Sequence, residues 1–134
     1  SEPDAILSKY GFGRAHHRVI HFVGRNPNIS VNRLLNVLKI TKQSLSRVLS
    51  QLIEEDFVRQ IQGQMDRRER LLSLTVKGFS LEKEVSTHQR NRLENAFNKA
   101  GRESVDGFYQ VLFNMLTDSR EFTQYEVISG GKLK

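Results

Sequence analysis

Cysteine is missing from all 134 residues. That absence removes structural disulfides, thiolate zinc sites, iron–sulfur clusters and thiol-based oxidant sensing from consideration. Long apolar runs are missing too, since none approaches the roughly 18 residues needed to cross a bilayer. No secretory leader pattern opens the sequence, so a cytoplasmic protein without membrane contact is the expectation. Serines are plentiful, but none sits in a G-x-S-x-G elbow, and there is no P-loop, dinucleotide fingerprint or zincin motif. The chain therefore reads as a protein that is not an enzyme and carries no cofactor.

What is present suits a single domain that buries its core without covalent staples. Hydrophobic residues make up 37% and charged residues 27%, and 21 Lys and Arg against 15 Asp and Glu leave a formal charge of +6. Such a balance favours a polyanionic partner, because each phosphate neutralised releases condensed counterions. The surplus is uneven. Basic against acidic counts are 4 to 2 in residues 1–29, 8 to 5 in residues 30–70, and 9 to 8 in residues 71–134. In the middle stretch three of the acids, Glu54, Glu55 and Asp56, stand together.

Residues 1–13 show little period, and Gly11 and Gly13 break any helix there. Ile6, Leu7, Tyr10 and Phe12 are apolar enough to pack. Residues 14–23 read as a helix with Ala15, Val19, Phe22 and Val23 on one stripe, ended by Gly24 and Pro27. Ser30 is an N-cap for a two-turn helix carrying Val31, Leu34, Leu35 and Leu38. A tight Lys39–Ile40 connection leads to Thr41, a second cap. The helix it opens has the cleanest period in the chain, with Leu45, Val48, Leu49, Leu52 and Ile53 inward. Two short capped helices joined by so brief a turn are a helix-turn-helix plan. The acids of residues 54–56 oppose the helix dipole, so the second helix is expected to stop there with these acids turned away from a phosphate surface. Strand-like residues 57–61 and 71–74 then flank the polar, glycine-containing residues 62–70, which reads as a hairpin, or wing. Thr75 caps a long helix with Leu81, Val85, Leu93, Ala96, Phe97 and Ala100 at helical spacing. After Gly101 a helix over residues 104–119 carries Val105, Phe108, Val111, Leu112, Met115 and Leu116 inward. The fold class expected is mainly α with a small β-hairpin wing. A winged helix-turn-helix over residues 14–74 is joined to a helical dimerisation part, residues 1–13 and 75–128, and residues 129–134 form a tail within one domain.

On a wheel at about 100° per residue, Gln43, Arg47 and Ser50 lie opposite the apolar face of the Thr41 helix, flanked by Ser44, Ser46 and Gln51. Gln pairs with adenine, Arg with guanine, and Ser with bases or phosphates. The free amides of a helix N-terminus attract phosphate. We assign base contacts to Gln43, Ser44 and Arg47, and phosphate contacts to Ser30, Lys42, Ser46 and Ser50. In the wing, Arg67 and Arg68 stand at the tip and Arg70 on the return strand. Arg68 suits a narrow minor groove, with Asp66 holding its guanidinium.

Three local patterns, in this order of elements, resemble the MarR family of bacterial transcription regulators. Asp66-x-Arg68-x-Arg70 is similar to its wing signature, and Leu74-Thr75-x-Lys77-Gly78 to its strand-to-helix exit. Thr41-Lys42-Gln43-Ser44-Leu45-Ser46-Arg47, followed by Leu52-Ile53-x-x-x-Phe57-Val58, resembles its reading helix and the approach to the wing. The resemblance covers about residues 14 to 119. It implies a homodimer on a pseudo-palindromic double-stranded operator, and a repressor released by a small, often phenolic, aromatic ligand held between dimer helices and DNA-binding part. The family's first helix is usually longer than residues 1–10 supply. Either that helix is trimmed here, or the dimer rests more on residues 104–128.

Two other constellations compete. His17 and His21 stand one turn apart, a spacing that can ligate a metal from one helix face, with His88 as a further ligand. A pocket-lining or dimer-contact role for His17 and His21 is the expectation, with no metal, and a metal-responsive regulator is the alternative. A winged helix that binds protein instead of DNA is the other, because fold does not fix function.

Overall fold

The computed structural model describes residues 2–116. In chain order the elements are α1 (Glu2–Ser8), α2 (Arg14–Arg25), β1 (Ile29–Ser30), α3 (Val31–Leu38), α4 (Lys42–Glu54), β2 (Val58–Gln62), β3 (Arg70–Leu74), α5 (Val76–Ala100) and α6 (Arg102–Met115). The expected class, mainly helical with a small sheet, is the observed one. No helix among the described residues is long and apolar enough to cross a membrane.

Each expected hydroxyl cap is in place. Ser30 Oγ accepts from the Arg33 amide at 3.1 Å, Thr41 Oγ1 from the Ser44 amide at 3.1 Å, and Thr75 Oγ1 from the Gly78 amide at 3.0 Å. Every one of these bonds satisfies an amide that the first turn of a helix leaves without an intrahelical partner. Between α3 and α4, Lys39 takes a left-handed conformation with φ 52°, and its amide donates back to the Leu35 carbonyl. The Arg18 guanidinium donates to the Leu38 carbonyl at 3.2 Å, tying α2 to the same turn.

One contiguous core holds the helices around the sheet. Val19, Ile20 and Val23 of α2, Leu34 and Leu38 of α3, and Leu45, Val48, Leu49 and Leu52 of α4 are buried, with Phe57, Val58, Leu72, Leu81 and Val85. Side chains of this kind each contribute about 1.5–3 kcal/mol on full burial. The inward stripe of α2 sits slightly off expectation, because Ala15 is exposed and Ile20 is buried. The helix also runs through Gly24, where a Cβ would meet Leu74 Cδ1 at 2.9 Å. Close packing against the sheet is what this glycine allows.

Three expectations need correction. The segment before Gly11 is not irregular: α1 forms ahead of the glycines, and its Ile6 and Leu7 are buried in the core and it packs on α5. The hairpin is part of a three-stranded antiparallel sheet in the order β1-β3-β2. The added strand pairs Ile29 with Leu72 and Ser30 with Leu71. Finally, the stripe of α6 does not face inward among the described residues. Phe108, Val111, Leu112, Met115 and Leu116 are all exposed, as is Leu93. No layer among the described residues covers them, although Phe97 of α5 makes ring contacts with Phe108 and Tyr109. The expected continuation of this helix to residue 119, the dimerisation part to residue 128 and the tail at 129–134 lie outside the described residues.

The end of α4 is closed by side chains from α5. Glu54 is the last helical residue, Glu55 caps it, and Asp56 adopts φ 64°. Lys77 Nζ donates to the Glu55 carbonyl at 2.8 Å and lies 4.4 Å from the centre of the Phe57 ring. At Gly78 a Cβ would stand 2.1 Å from the Phe57 carbonyl oxygen. Only glycine lets α5 start this close to the wing's first strand.

Candidate nucleic-acid interface

The buried face of α4 fixes what its opposite face presents. With Leu45, Val48, Leu49 and Leu52 in the core, Lys42, Gln43, Ser44, Ser46, Arg47 and Ser50 are all exposed. The hydroxyl of Ser44 accepts from Thr41 Oγ1 at 2.9 Å, so the cap holds its oxygen and its proton points elsewhere.

Between α4 and the hairpin runs an open groove of about 770 Å³. Lys42, Ser46 and Ser50 line it from α4, Ser30 and Asn32 from the start of α3, and Gln60, Arg68 and Arg70 from the wing. Thus all four residues assigned to phosphate share one concavity with two wing arginines. Gln43, Ser44 and Arg47 are exposed on α4 and do not line it. Asn32 and Gln60 were not singled out from the sequence. β1 brings the start of α3, with Asn32, beside the sheet, and Gln60 comes from β2 on the far side of β3. Two residues depart from expectation. Ile53 is partly exposed and lines the groove, and so does Glu54, which was expected to turn away. Glu54 is in the last turn of α4, on the flank that carries Ser46 and Ser50, so it closes that end of the groove with negative charge.

The wing tip is a tight turn stabilised by Asp66. The Glu69 amide donates to the Asp66 carbonyl at 3.0 Å, and the Arg68 amide donates to Asp66 Oδ1 at 3.0 Å. The same carboxylate oxygen accepts from Arg68 Nε at 3.3 Å, as the sequence pattern suggested. The Arg68 side chain is nevertheless 92% exposed. It is aimed by its partner and still accessible. Below the tip, Gln62 Nε2 donates to the Arg67 carbonyl at 2.7 Å, and the Gly63 amide to the Glu69 carbonyl at 2.9 Å. A Cβ at Gly63 would meet the Asp66 carbonyl oxygen at 2.5 Å, so the tight fold of the tip against the end of β2 requires glycine.

The histidines of α2 form a separate polar group against α5. His21 Nδ1 and Glu82 Oε1 are 3.3 Å apart, and Ser86 donates to the same carboxylate oxygen at 2.5 Å. The hydrogen bond from His21 holds Glu82 below the usual carboxylate range, while burial works against it. Burial, and then the neighbouring His21, push His17 below its ordinary value of 6.5. Its Nε2 is buried and has no hydrogen-bond partner among the described residues. His88 is 2.9 Å from Glu2 instead of joining His17 and His21. Among the described residues no three His, Asp or Glu side chains gather as a metal site.

Comparison with known proteins gives this geometry a context. The model of the MarR family matches residues 10–69. The HTH-type transcriptional regulator PetP of Rhodobacter capsulatus is 49% identical over 116 residues, which is 87% of this chain and 70% of PetP. Among solved structures, Streptococcus pneumoniae FabT in complex with DNA shares the fold with a TM-score of 0.74 at 18% identity, over 78% of this chain and 73% of FabT. A MarR structure does so with a TM-score of 0.74 at 17% identity, over 89% and 81%. With its capped helix pair, its three-stranded sheet and its half-identity to PetP, the chain belongs to the MarR family of winged-helix transcription regulators and is not an enzyme.

Proposed function

We propose that this chain is a sequence-specific double-stranded DNA-binding regulator acting in the cytoplasm as a homodimer on a pseudo-palindromic operator. The observation that carries the reading is the groove shared by α4 and the wing. It sets Lys42, Ser46, Ser50 and Ser30 opposite Arg68 and Arg70, while Gln43, Ser44 and Arg47 stand exposed outside it on α4. A duplex seated on this surface places Gln43, Ser44 and Arg47 against base edges in the major groove. The hydroxyls and Lys42 meet the backbone along the cleft, and Arg68, aimed by Asp66, enters the next minor groove. Arg67 and Arg70 add charge to the backbone beside it. FabT, which shares the fold, was solved in complex with DNA, and this supports DNA as the partner.

A second copy of the chain supplies the layer that the described residues do not give α6. Phe108, Val111, Leu112 and Met115 form an exposed apolar stripe too extended for an isolated surface. Residues 14–74 then serve as the DNA-binding part, with α1, α5 and α6 as the dimerisation part.

The polar group on α2 and α5 supports ligand control. His17 offers a buried nitrogen without a partner, next to the paired His21 and Glu82. A small aromatic ligand bearing a hydroxyl would satisfy it, and its binding would release a repressor from DNA.

Titrating mixed-sequence duplex at several salt concentrations tests the central reading. Affinity should fall steeply with salt, with a slope of about 0.9 per phosphate neutralised. Flat or absent binding would instead support a winged helix that binds protein.

A further inference from the structure

The reading face of α4 is touched at one point by a residue from outside the helix-turn-helix. His16 sits at the third position of α2, half-buried, and its ring stacks on Phe12 with centroids 4.6 Å apart and planes 13° from parallel. Phe12 in turn meets the edge of Phe57, which leads into the wing. The Gly13 amide donates to His16 Nδ1 at 3.1 Å. This is half of a capping box, since a glycine has no side chain with which to return the bond. An amide aimed at Nδ1 makes that nitrogen the acceptor, so the ring proton must reside on Nε2. Nε2 lies 2.5 Å from Gln51 Oε1 and donates to it.

Gln51 falls about 40° from Arg47 and about 20° from Ser44 around α4, at about 100° per residue. It therefore continues the stripe on which Ser44 and Arg47 lie, one turn further on. The core holds α4 from its apolar side only, whereas the His16 bond holds it from the exposed side. The bond also turns the Gln51 amide toward α2 and away from any duplex.

We propose that His16, as the Nε2–H tautomer, is a positioning residue that fixes the roll of the reading helix through Gln51 and confines base reading to its first two turns. The inference rests on the reading of α4 given above. A change at His16 removes no phosphate-facing side chain and no Lys or Arg charge, so it acts on affinity for a preferred sequence and leaves the number of phosphates neutralised, and with it the salt slope, unchanged. Gln at this position carries one acceptor and one donor in a planar group, which is what the imidazole provides. Phe keeps the stack on Phe12 and provides neither.

The test uses the full chain and two probes: a duplex selected from a random library by the unaltered protein, and a mixed-sequence duplex. His16→Phe should lose about five- to tenfold in affinity for the selected duplex, the size of one hydrogen bond, with its salt slope unchanged. His16→Gln should recover most of that loss. Gln51→Leu should weaken selected binding to the same degree, and the double variant His16→Phe/Gln51→Leu should lose no more than either alone. Nitrogen chemical shifts of the unaltered protein should show the proton on Nε2 of His16. Since Gln51 is exposed, its variant reports even if His16→Phe fails to fold. Unchanged selected binding in Gln51→Leu, additive losses in the double variant, or a proton on Nδ1 would overturn the inference while leaving α4 as the reading helix. Failure of the unaltered protein to bind either duplex would overturn both.

Discussion

The Thr75 hydroxyl donates to the Asp56 carbonyl at 2.6 Å and accepts from the Gly78 amide at 3.0 Å. One side chain thus closes the turn after α4 and opens α5. Thr75→Val keeps the shape and removes both bonds, so it should cost about 1–2 kcal/mol in chemical denaturation. Gly78→Ala should cost about 3 kcal/mol or more, because the methyl group would collide with the Phe57 backbone and not with a movable side chain.

Arg47 projects from the exposed face of α4. Arg47→Ala should weaken binding to a selected duplex by about 1–3 kcal/mol and relax preference at one base position. Competition between duplexes that differ at single positions measures both effects. Retained preference at every position would remove Arg47 from the base contacts.

At the wing, Arg68→Ala should weaken binding with little change in the major-groove preference. Asp66→Ala should cost less affinity, since the guanidinium remains but is no longer aimed. Asp66→Asn retains an oxygen for the Arg68 amide and should fall between Asp66→Ala and the unaltered protein. Titration of the three variants against one A·T-rich duplex gives the order, and a larger loss in Asp66→Ala than in Arg68→Ala would contradict it.

Acid should destabilise the fold through His17 and Glu82. A histidine whose value is lowered on folding takes up a proton more readily when unfolded. Its contribution is present above 6.5 and is lost as pH falls from there toward its folded value. Glu82, also lowered, contributes above the ordinary carboxylate value of 4.5 and loses that contribution as pH falls through its folded value. Melting temperatures should therefore decline as pH falls below 6.5 through His17 and further as it falls below 4.5 through Glu82, and His17→Leu should flatten the upper part of that decline. An identical decline in His17→Leu would assign it to other groups.

Dimerisation through α6 should depend on its exposed stripe. Replacing Phe108 and Leu112 with Ser should shift the mass in sedimentation from dimer toward monomer, while the buried residues of α4 leave the winged helix folded. A mass unaffected by both changes would place the interface elsewhere.

Much of this architecture is legible in the sequence because it is local. The caps at Ser30, Thr41 and Thr75 and the period of α4 are set by neighbours a few residues apart, and so is the hold of Asp66 on Arg68. What escapes is either too short or too distant. Two residues, Ile29 and Ser30, cannot display an alternating pattern, so β1 is invisible until Leu71 and Leu72 lie beside it. The apolar spacing of α6 is plain, but spacing does not say whether the covering layer comes from the same chain. Gln51 falls near the reading face on a wheel, yet its amide is engaged by His16, 35 residues earlier. Glu54 fails for a related reason: charge repulsion suggests where an acid should not be, but the register of α4 decides where it is.

The sheet order β1-β3-β2 leaves the first wing strand at an open edge, while the return strand is held on both sides. Base and tip of the hairpin are therefore independent parts. The base is locked by β1 and by the contact of Gly78 with Phe57, and the tip by its own turn around Asp66. Residues added near Gln64 and Met65, where Met65 is wholly exposed, would lengthen the arm and leave its anchor untouched. Reach across a duplex is thus a property that can drift in such a scaffold without renegotiating its core.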